Sequence, residues 1–132
     1  MIQKILLTKL FIFTLLQATT HLVPDEFSSI QEAINAASTS DTIIVGNGIY
    51  FENIDFLGKA IKVTSRYLVD NDSLLIGSTI IDAQEFGSVA TFKSGENQES
   101  ILQGFTLRNG IGNDEDPDGN GSFYTYGGGI YC

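Results

Sequence analysis

Short apolar runs separated by turn residues dominate the chain beyond its first forty residues. β-Branched and aromatic residues form runs of three to eight, bounded by Gly, Asn, Asp or Ser, at residues 42–45, 49–51, 60–64, 78–82, 88–92 and 100–107. Runs of that length and composition are typical of β-strands. No two long alternating runs are joined by a two-residue turn, so a simple hairpin meander is not favoured. The pattern predicts an all-β fold.

A helical period precedes these runs. Apolar residues follow the spacing i, i+3, i+4, i+7 of one helix face at Ile30, Ala33, Ile34 and Ala37. This stripe predicts a short amphipathic helix over residues 28–37. Ser29 followed by Glu32 matches a capping box at its start. We expect this helix to be the only one after the N-terminal segment.

The predicted strands recur at intervals of about twenty residues, the coil length of a β-solenoid. Thr42, Ile61 and Ile80 are nineteen residues apart, and the strand around Leu102 follows a little over twenty residues later. In a solenoid each coil stacks on the one before it. The motif at residues 48–50, Gly-Ile-Tyr, also returns at residues 129–131. The repeat predicts that its two tyrosines occupy corresponding positions.

Seven motifs, in order, resemble the opening of right-handed parallel β-helix proteins of the pectate-lyase-like superfamily: residues 24–37, 41–45, 48–54, 58–64, 79–83, 104–110 and 127–132. The resemblance covers about residues 23–132 and leaves an acidic insertion at about 112–126. It implies a right-handed parallel β-helix of about three rungs, with the 28–37 helix capping its first coil. In that superfamily further rungs follow the last of these motifs. The resemblance therefore implies an N-terminal part of a longer domain, truncated at its C-terminus.

The first twenty residues have the pattern of an export signal. Lys4 and Lys9 give a positive start, residues 10–16 are largely apolar, and Ala18 offers a small residue at a cleavage point. The apolar run is too short to cross a bilayer core, which needs ~20 residues. We predict a helical signal peptide at residues 1–20, a secreted or cell-surface destination (extracellular or periplasmic), and no membrane span after its removal. An uncleaved anchor is the alternative.

The charge balance narrows the possible partners. The chain has sixteen acidic and seven basic side chains, a formal net charge of −9, and only five of the basic ones lie beyond Thr19. Such a surface repels phosphate backbones, so we expect no nucleic-acid partner. It is compatible with divalent cations and with uncharged or cationic saccharides. The single Cys132 leaves no disulfide framework within the chain.

The acidic insertion contains a candidate calcium loop. Asp114, Asp116 and Asp118 alternate before Gly119, which matches the first half of a D-x-D-x-D-G loop. Carboxylate oxygens on alternate residues of a turn can converge on one Ca²⁺ ion. The twelfth position of the loop is Thr125, where the motif has a glutamate. A solvated acidic loop is therefore the alternative, and Ca²⁺ is the only cofactor that the sequence suggests.

Two tyrosines of the insertion, Tyr124 and Tyr126, are candidates for carbohydrate binding. Tyrosine offers a flat apolar ring with a polar edge, and the faces of saccharides pack on such rings. A polysaccharide or a cell-surface glycan is therefore the partner that we predict.

Catalytic residues are not assigned. Asp82, Asp55 and Glu52 lie near turns, where carboxylates bond backbone N–H groups. Lyases of the resembled superfamily use an arginine base with Ca²⁺ held by aspartates. Arg108 lies at a strand end, but the motif around it does not match, so that role is not transferred. The sequence predicts an exported β-helix module that binds or is displayed towards polysaccharide or cell-surface material, without a complete catalytic site. The alternative is the N-terminal piece of a polysaccharide-active enzyme, a lyase or an esterase.

Overall fold

The computed structural model describes residues 17–122 and 124–132. The predicted export signal, residues 1–20, therefore lies outside the described residues as far as residue 16. None of the helices in the described part is long and apolar enough to cross a membrane. The elements, in chain order, are β1 (Thr20–Val23), α1 (Ile30–Ala36), β2 (Thr42–Val45), β3 (Gly48–Tyr50), β4 (Ile54–Asp55), β5 (Lys62–Ser65), α2 (Tyr67–Asp70), α3 (Leu74–Ser78), β6 (Thr79–Asp82), β7 (Ala90–Thr91), β8 (Ile101–Gln103), β9 (Thr106–Arg108), β10 (Asn113–Glu115), β11 (Tyr124–Tyr126) and β12 (Ile130–Tyr131).

Ten strands form three parallel sheets that the chain visits in turn. The sheets have the orders β1-β2-β5-β8, β3-β6-β9 and β4-β7-β12. From β2 onward the chain visits the three sheets three times, each time in the same order. On the last pass an antiparallel hairpin, β10 with β11, precedes β12. The structure therefore confirms a mainly-β fold, built largely of parallel sheets.

The strand register differs from the predicted nineteen-residue recurrence. Thr42 pairs with Lys62, and Lys62 pairs with Ile101. Ile80 lies in another sheet, where β6 pairs with β3 and β9. The prediction that Thr42, Ile61 and Ile80 begin successive coils is therefore wrong. Segments that leave the sheets, such as residues 66–78, lengthen individual passes, and loop length is only weakly constrained by stability.

The structure contains two short helices that the sequence did not indicate. Helices α2 and α3 follow β5, and neither of them buries a residue. An amphipathic stripe arises only where a helix packs one face against a core. These helices have no such face, and Leu68, Val69 and Leu74 are exposed. The expectation of a single helix was therefore wrong.

The repeated Gly-Ile-Tyr motif does not mark equivalent positions. Tyr50 ends β3, whereas Tyr131 ends β12 of a different sheet. The Tyr50 hydroxyl donates to the carbonyl oxygen of Gly46 at 2.9 Å. Tyr131 instead packs against the tyrosines of the hairpin. A three-residue match carries too little information to set a register.

The core consists of inward-facing residues stacked between successive strands. Ile43 on β2 lies beside Val63 on β5, which lies beside Leu102 on β8. Ile54 on β4 lies beside Ala90 on β7 in the same way. The largest fully buried apolar side chains of the core are, in order of decreasing size, Phe56, Ile30, Ile34, Ile43, Ile54, Ile61, Ile81, Val45, Val63 and Val89. Burial of this set from water supplies the main favourable free energy of folding.

Helix α1 lies within the predicted range, and Ser29 is its N-cap. The Ser29 hydroxyl accepts from the N–H of Glu32 at 3.1 Å. In a capping box the glutamate carboxylate accepts from the N–H of the N-cap residue, here Ser29. The Glu32 carboxylate instead accepts from the preceding residue, from the Ser28 hydroxyl at 2.6 Å and from the Ser28 N–H at 3.2 Å. These bonds, led by the Ser28 hydroxyl, lower the pKa of Glu32. The helix buries Ile30, Ala33 and Ile34 and contacts β1, β2 and β4.

Charged side chains flanking β4 hold both ends of α1. At its start, the Glu52 carboxylate accepts two backbone N–H groups, each at 2.9 Å, so Glu52 binds the helix rather than the predicted turn. At its end, the Lys59 ammonium donates to three backbone carbonyl oxygens at 2.7, 2.9 and 2.8 Å, those of Ile34, Asn35 and Ala37. Helix termini leave such groups without intrahelical partners. Each charge also has the sign that the helix dipole favours at its end.

Candidate functional site

The antiparallel hairpin of β10 and β11 carries both sets of predicted site residues. In its register, Asn113 pairs with Tyr126 and Glu115 pairs with Tyr124. The hairpin is anchored to the loop before β7, where the Asn113 side-chain amide donates to the Ser88 hydroxyl at 2.9 Å. Gly112 precedes the hairpin with φ +89°, and a Cβ there would lie 2.6 Å from the Tyr126 carbonyl oxygen. Glycine is therefore needed for the two strands to approach at this point.

Three tyrosines form a row along the hairpin and the neighbouring strand β12. Tyr124 and Tyr126 alternate along β11, so their side chains project from the same face. Tyr124 is 51% exposed and Tyr126 is 41% exposed, and the centroids of their rings are 6.5 Å apart. Tyr131 stacks on Tyr126 at 6.3 Å with an interplanar angle of 25°. We call Tyr124, Tyr126 and Tyr131 the tyrosine row.

An ion pair between Lys93 and Glu115 contacts Tyr131, the member of the tyrosine row that lies on β12. The Lys93 ammonium donates to Glu115 Oε1 at 3.0 Å and lies 5.2 Å from the ring centroid of Tyr131. The Tyr131 hydroxyl and then the Lys93 ammonium lower the pKa of Glu115. The Glu115 carboxylate in turn raises the pKa of Tyr131 and of Lys93. Tyr131 is therefore held in place by Lys93 and Glu115, which leaves Tyr124 and Tyr126 as the more exposed rings.

The three predicted calcium ligands make hydrogen bonds within the hairpin. Asp114 Oδ1 accepts from the Thr125 hydroxyl at 2.5 Å, Asp116 from the N–H of Gly121 at 2.9 Å, and Asp118 from the side-chain amide of Asn120 at 2.7 Å. The Gly121 N–H is the main cause that lowers the pKa of Asp116. Within the described residues, no three acidic, histidine or cysteine side chains converge on a common point that could hold a metal ion. Calcium binding by Asp114, Asp116 and Asp118 stays a prediction.

The carboxylate of Asp82 lies in a separate polar cluster at the end of β6. Its Oδ1 accepts from the N–H of Gln84 at 2.9 Å and from the side-chain amide of Asn109 at 2.9 Å. Its Oδ2 accepts from Arg108 Nε at 2.7 Å. The Gln84 N–H and then Arg108 lower the pKa of Asp82. The predicted turn role of Asp82 is confirmed.

Two consequences follow for the other candidates near turns. Asp55 Oδ1 accepts from the N–H of Leu57 at 2.8 Å, which confirms the same prediction for Asp55. Arg108 is paired with a carboxylate that is only 4% exposed. An arginine base needs a guanidinium free to approach a substrate proton, so this geometry offers no support for that role.

No family model, no curated protein and no solved structure matches this chain in the three comparisons with known proteins. Function is therefore inferred from the geometry of the hairpin and from the charge of the chain.

Sequence reasoning found two of the three tyrosines but not the residues that support them. Lys93 and Glu115 lie 22 residues apart, and Tyr131 belongs to another strand. No local pattern relates these positions, because strand pairing alone brings them together. The only sequence signal is the clustering of tyrosines between residues 124 and 131.

Proposed function

We propose that this chain is an exported, right-handed parallel β-helix module that binds neutral or cationic polysaccharide through its tyrosine row. The observation that carries the binding proposal is the pair of exposed rings of Tyr124 and Tyr126 on one face of β11, backed by Tyr131. The proposal of export is supported by the sequence pattern of the first twenty residues. The proposal of a β-helix is supported by the sequence motifs and by the strand order.

The order in which the chain visits its sheets supports the β-helix proposal. Each pass contributes one strand to each of three parallel sheets, and each strand pairs with its counterpart from the next pass. A solenoid of three-sheet coils requires this order. Crossovers between parallel strands are right-handed in about 98% of cases, which is why we propose that hand.

The geometry of the tyrosine row supports a flat, extended ligand. Two rings 6.5 Å apart, both about half exposed, offer neighbouring apolar faces to the hydrophobic face of a sugar chain. Tyrosine has only two side-chain torsion angles, so little side-chain freedom is lost on binding. Aromatic contacts contribute about 0.5–1.5 kcal/mol each beyond the area they bury.

The charge of the hairpin supports the choice among saccharides. Asp114, Glu115, Asp116 and Asp118 lie on the same hairpin as Tyr124 and Tyr126, and the whole chain carries a net charge of −9. Anionic polymers such as polygalacturonate would be repelled, whereas neutral glycans are unaffected and amino-sugar polymers are attracted. The proposed ligand is therefore neutral or cationic.

Binding to insoluble polysaccharides tests the proposal. The exported protein is incubated with cellulose, chitin, chitosan and polygalacturonate, and the depletion from solution is measured. We expect binding to at least one neutral or cationic polymer and weak or no binding to polygalacturonate. The double substitution Tyr124→Ala with Tyr126→Ala should weaken binding at least about fivefold, because two ring contacts are worth about 1–3 kcal/mol together.

A matched control separates the tyrosine row from exposed aromatic surface in general. Phe51 is 60% exposed and lies outside the hairpin. Phe51→Ala should leave the binding constant unchanged. Equal weakening by Phe51→Ala and by the double tyrosine substitution, or preferential binding to polygalacturonate, would contradict the proposal.

Enzymatic activity on polysaccharides stays an alternative prediction. Arg108, the arginine considered as a base, is paired with Asp82. We therefore propose binding without assigning a reaction.

A further inference from the structure

The chain joins the first sheet at Thr19, one residue before β1 begins. The carbonyl oxygen of Thr19 accepts from the N–H of Thr42 at 2.9 Å, which extends the ladder between β1 and β2. The N–H of Thr19 donates to Asp41 Oδ1 at 2.7 Å. Gln17 and Ala18, just before it, are exposed. Thr19 and Thr20 are exposed as well, so what begins at Thr19 is the hydrogen bonding to β2.

The acceptor of the Thr19 N–H is an almost completely buried carboxylate. Asp41 is 5% exposed, and its second oxygen accepts from the N–H of Ser38 at 2.8 Å and lies 3.0 Å from His21 Nε2. The N–H groups of Ser38 and Thr19 lower the pKa of Asp41 most, with a smaller effect of His21. A positive charge beside this carboxylate would add a Coulomb attraction that neutral amides do not provide.

We propose that the export signal is removed by hydrolysis between Ala18 and Thr19, and that the new α-ammonium group of Thr19 forms an ion pair with Asp41. The step rests on the export part of the proposed function. A signal peptidase uses one water molecule: the bond between Ala18 C and Thr19 N breaks, and the hydroxyl joins the Ala18 carbonyl carbon. The Thr19 nitrogen takes the proton, and at neutral pH it takes up a second one as the new carboxyl group loses its own.

The position of the cut follows from the contacts of this one residue. A cut before Ala18 would leave an uncharged amide at the 2.7 Å contact with Asp41. A cut after Thr19 would remove that contact and the bond to Thr42 as well. Only a cut between Ala18 and Thr19 puts a charge on a nitrogen that already contacts Asp41. Ala18 supplies the small residue at the last position of an A-x-A-like cleavage site, whereas Leu16 does not match the first position of that site.

The ion pair has a chemical signature, because it stabilises the protonated amine. An ordinary α-amino group has a pKa of about 7.7–8.0. Pairing with Asp41 should raise this pKa, so the reactive free base of Thr19 forms only at higher pH. The other titratable groups near this carboxylate are His21 on β1, and Lys62 and Glu99, which line the same shallow cleft as Asp41.

The test begins with the full chain expressed in a secretion host. The exported protein is purified, and its first residue is determined by N-terminal sequencing and intact mass. We expect Thr19 as the first residue. Export with a cut at another bond overturns this inference but leaves the proposed function standing. Retention of an uncut chain contradicts both the inference and the export part of the proposed function.

The second measurement tests the ion pair itself. The rate at which an acetylating ester modifies the Thr19 amine is followed from pH 6 to 10 by mass spectrometry of the N-terminal peptide. We expect the midpoint of the rate–pH curve to lie about one pH unit or more higher in the folded protein than in the same protein in denaturant, a slowing of about tenfold at pH 7. The midpoint reports the ionisation of the amine, which simple steric protection would not move.

Two variants assign the shift to Asp41. Asp41→Asn should return the midpoint to the value found in denaturant. Glu99→Gln removes a nearby negative charge that does not contact Thr19 and should leave the midpoint close to that of the unaltered protein. An unshifted midpoint in the unaltered folded protein, or equal shifts in the two variants, overturns the ion pair. The comparison of folded and denatured protein decides the question even where Asp41→Asn prevents folding.

Discussion

The Lys59 ammonium donates to the carbonyl oxygens of Ile34, Asn35 and Ala37, so removing it should loosen helix α1. We consider the substitution Lys59→Met, which keeps the length and apolar stem of the side chain and removes the charge. The last carbonyl groups of α1 then lose their donor. Because α1 buries Ile30, Ala33 and Ile34 against the first strands, a weakened helix end is expected to destabilise the fold as a whole.

The expected cost is about 2 kcal/mol. A hydrogen bond to a charged group contributes about 1.5–3 kcal/mol, and a cation at a helix C-terminus about 0.3–1 kcal/mol. The three bonds share one ammonium group, and Lys59 is half-buried. After the substitution, water can therefore donate to the freed carbonyl oxygens and offset part of the lost stability. At about 4 °C per kcal/mol for a domain of this size, the midpoint of thermal unfolding should fall by about 8 °C.

Urea and thermal unfolding followed by circular dichroism measure this cost. Lys62→Met is the matched control, since it removes the same charge from a residue whose ammonium makes no hydrogen bond to the described part of the chain. We expect the control to change the free energy of unfolding by less than about 0.5 kcal/mol. If Lys59→Met and Lys62→Met differ by less than this amount, the bonds from Lys59 do not stabilise the helix and the reasoning is refuted.

Three further predictions concern the core, a turn and the acid stability. Phe56 is fully buried, so Phe56→Ala should cost about 3–5 kcal/mol in urea unfolding, whereas the exposed Phe51→Ala should cost under about 0.5 kcal/mol; similar costs would contradict the assigned core. Gly104 has φ +80°, and a Cβ there would lie 2.5 Å from the Tyr67 ring, so Gly104→Ala should lower the thermal midpoint, and an unchanged midpoint would refute the crowding. Hydrogen bonds from the turn N–H and from the guanidinium lower the pKa of Asp82 in the folded state. The stability that these bonds provide is therefore fully present above the pKa of an unfolded aspartate, about pH 4, and it is lost as the pH falls through the lowered folded-state pKa. Asp82→Asn should therefore flatten the loss of stability below that pH, and an unaltered acid profile would count against the cluster.

Sequence and structure agree where local chemistry decides the outcome. The helix stripe from Ile30 gave the position of α1, because its period reports directly which face is buried. The β-branched runs gave most of the strands for the same reason. Asp82 and Asp55 were correctly predicted to bind turn N–H groups, since an aspartate reaches the backbone two residues ahead. Tyr124 and Tyr126 lie on one strand, and their predicted role in carbohydrate binding stays a prediction.

Only the tertiary structure decided which of these elements meet. Thr42 pairs with Lys62 and does not start a regular nineteen-residue series. Loops of unequal length separate the passes, and the pattern of apolar residues does not report the length of these loops. Tyr131 supports Tyr126 across two strands, although its motif pointed to Tyr50 as its equivalent. Lys59 reaches the end of α1 from 22 to 25 residues away. By itself the sequence determined the kind and place of most strands and of the first helix. The pairing of distant positions, and with it the tyrosine row, came from the packing of one pass of chain on the next.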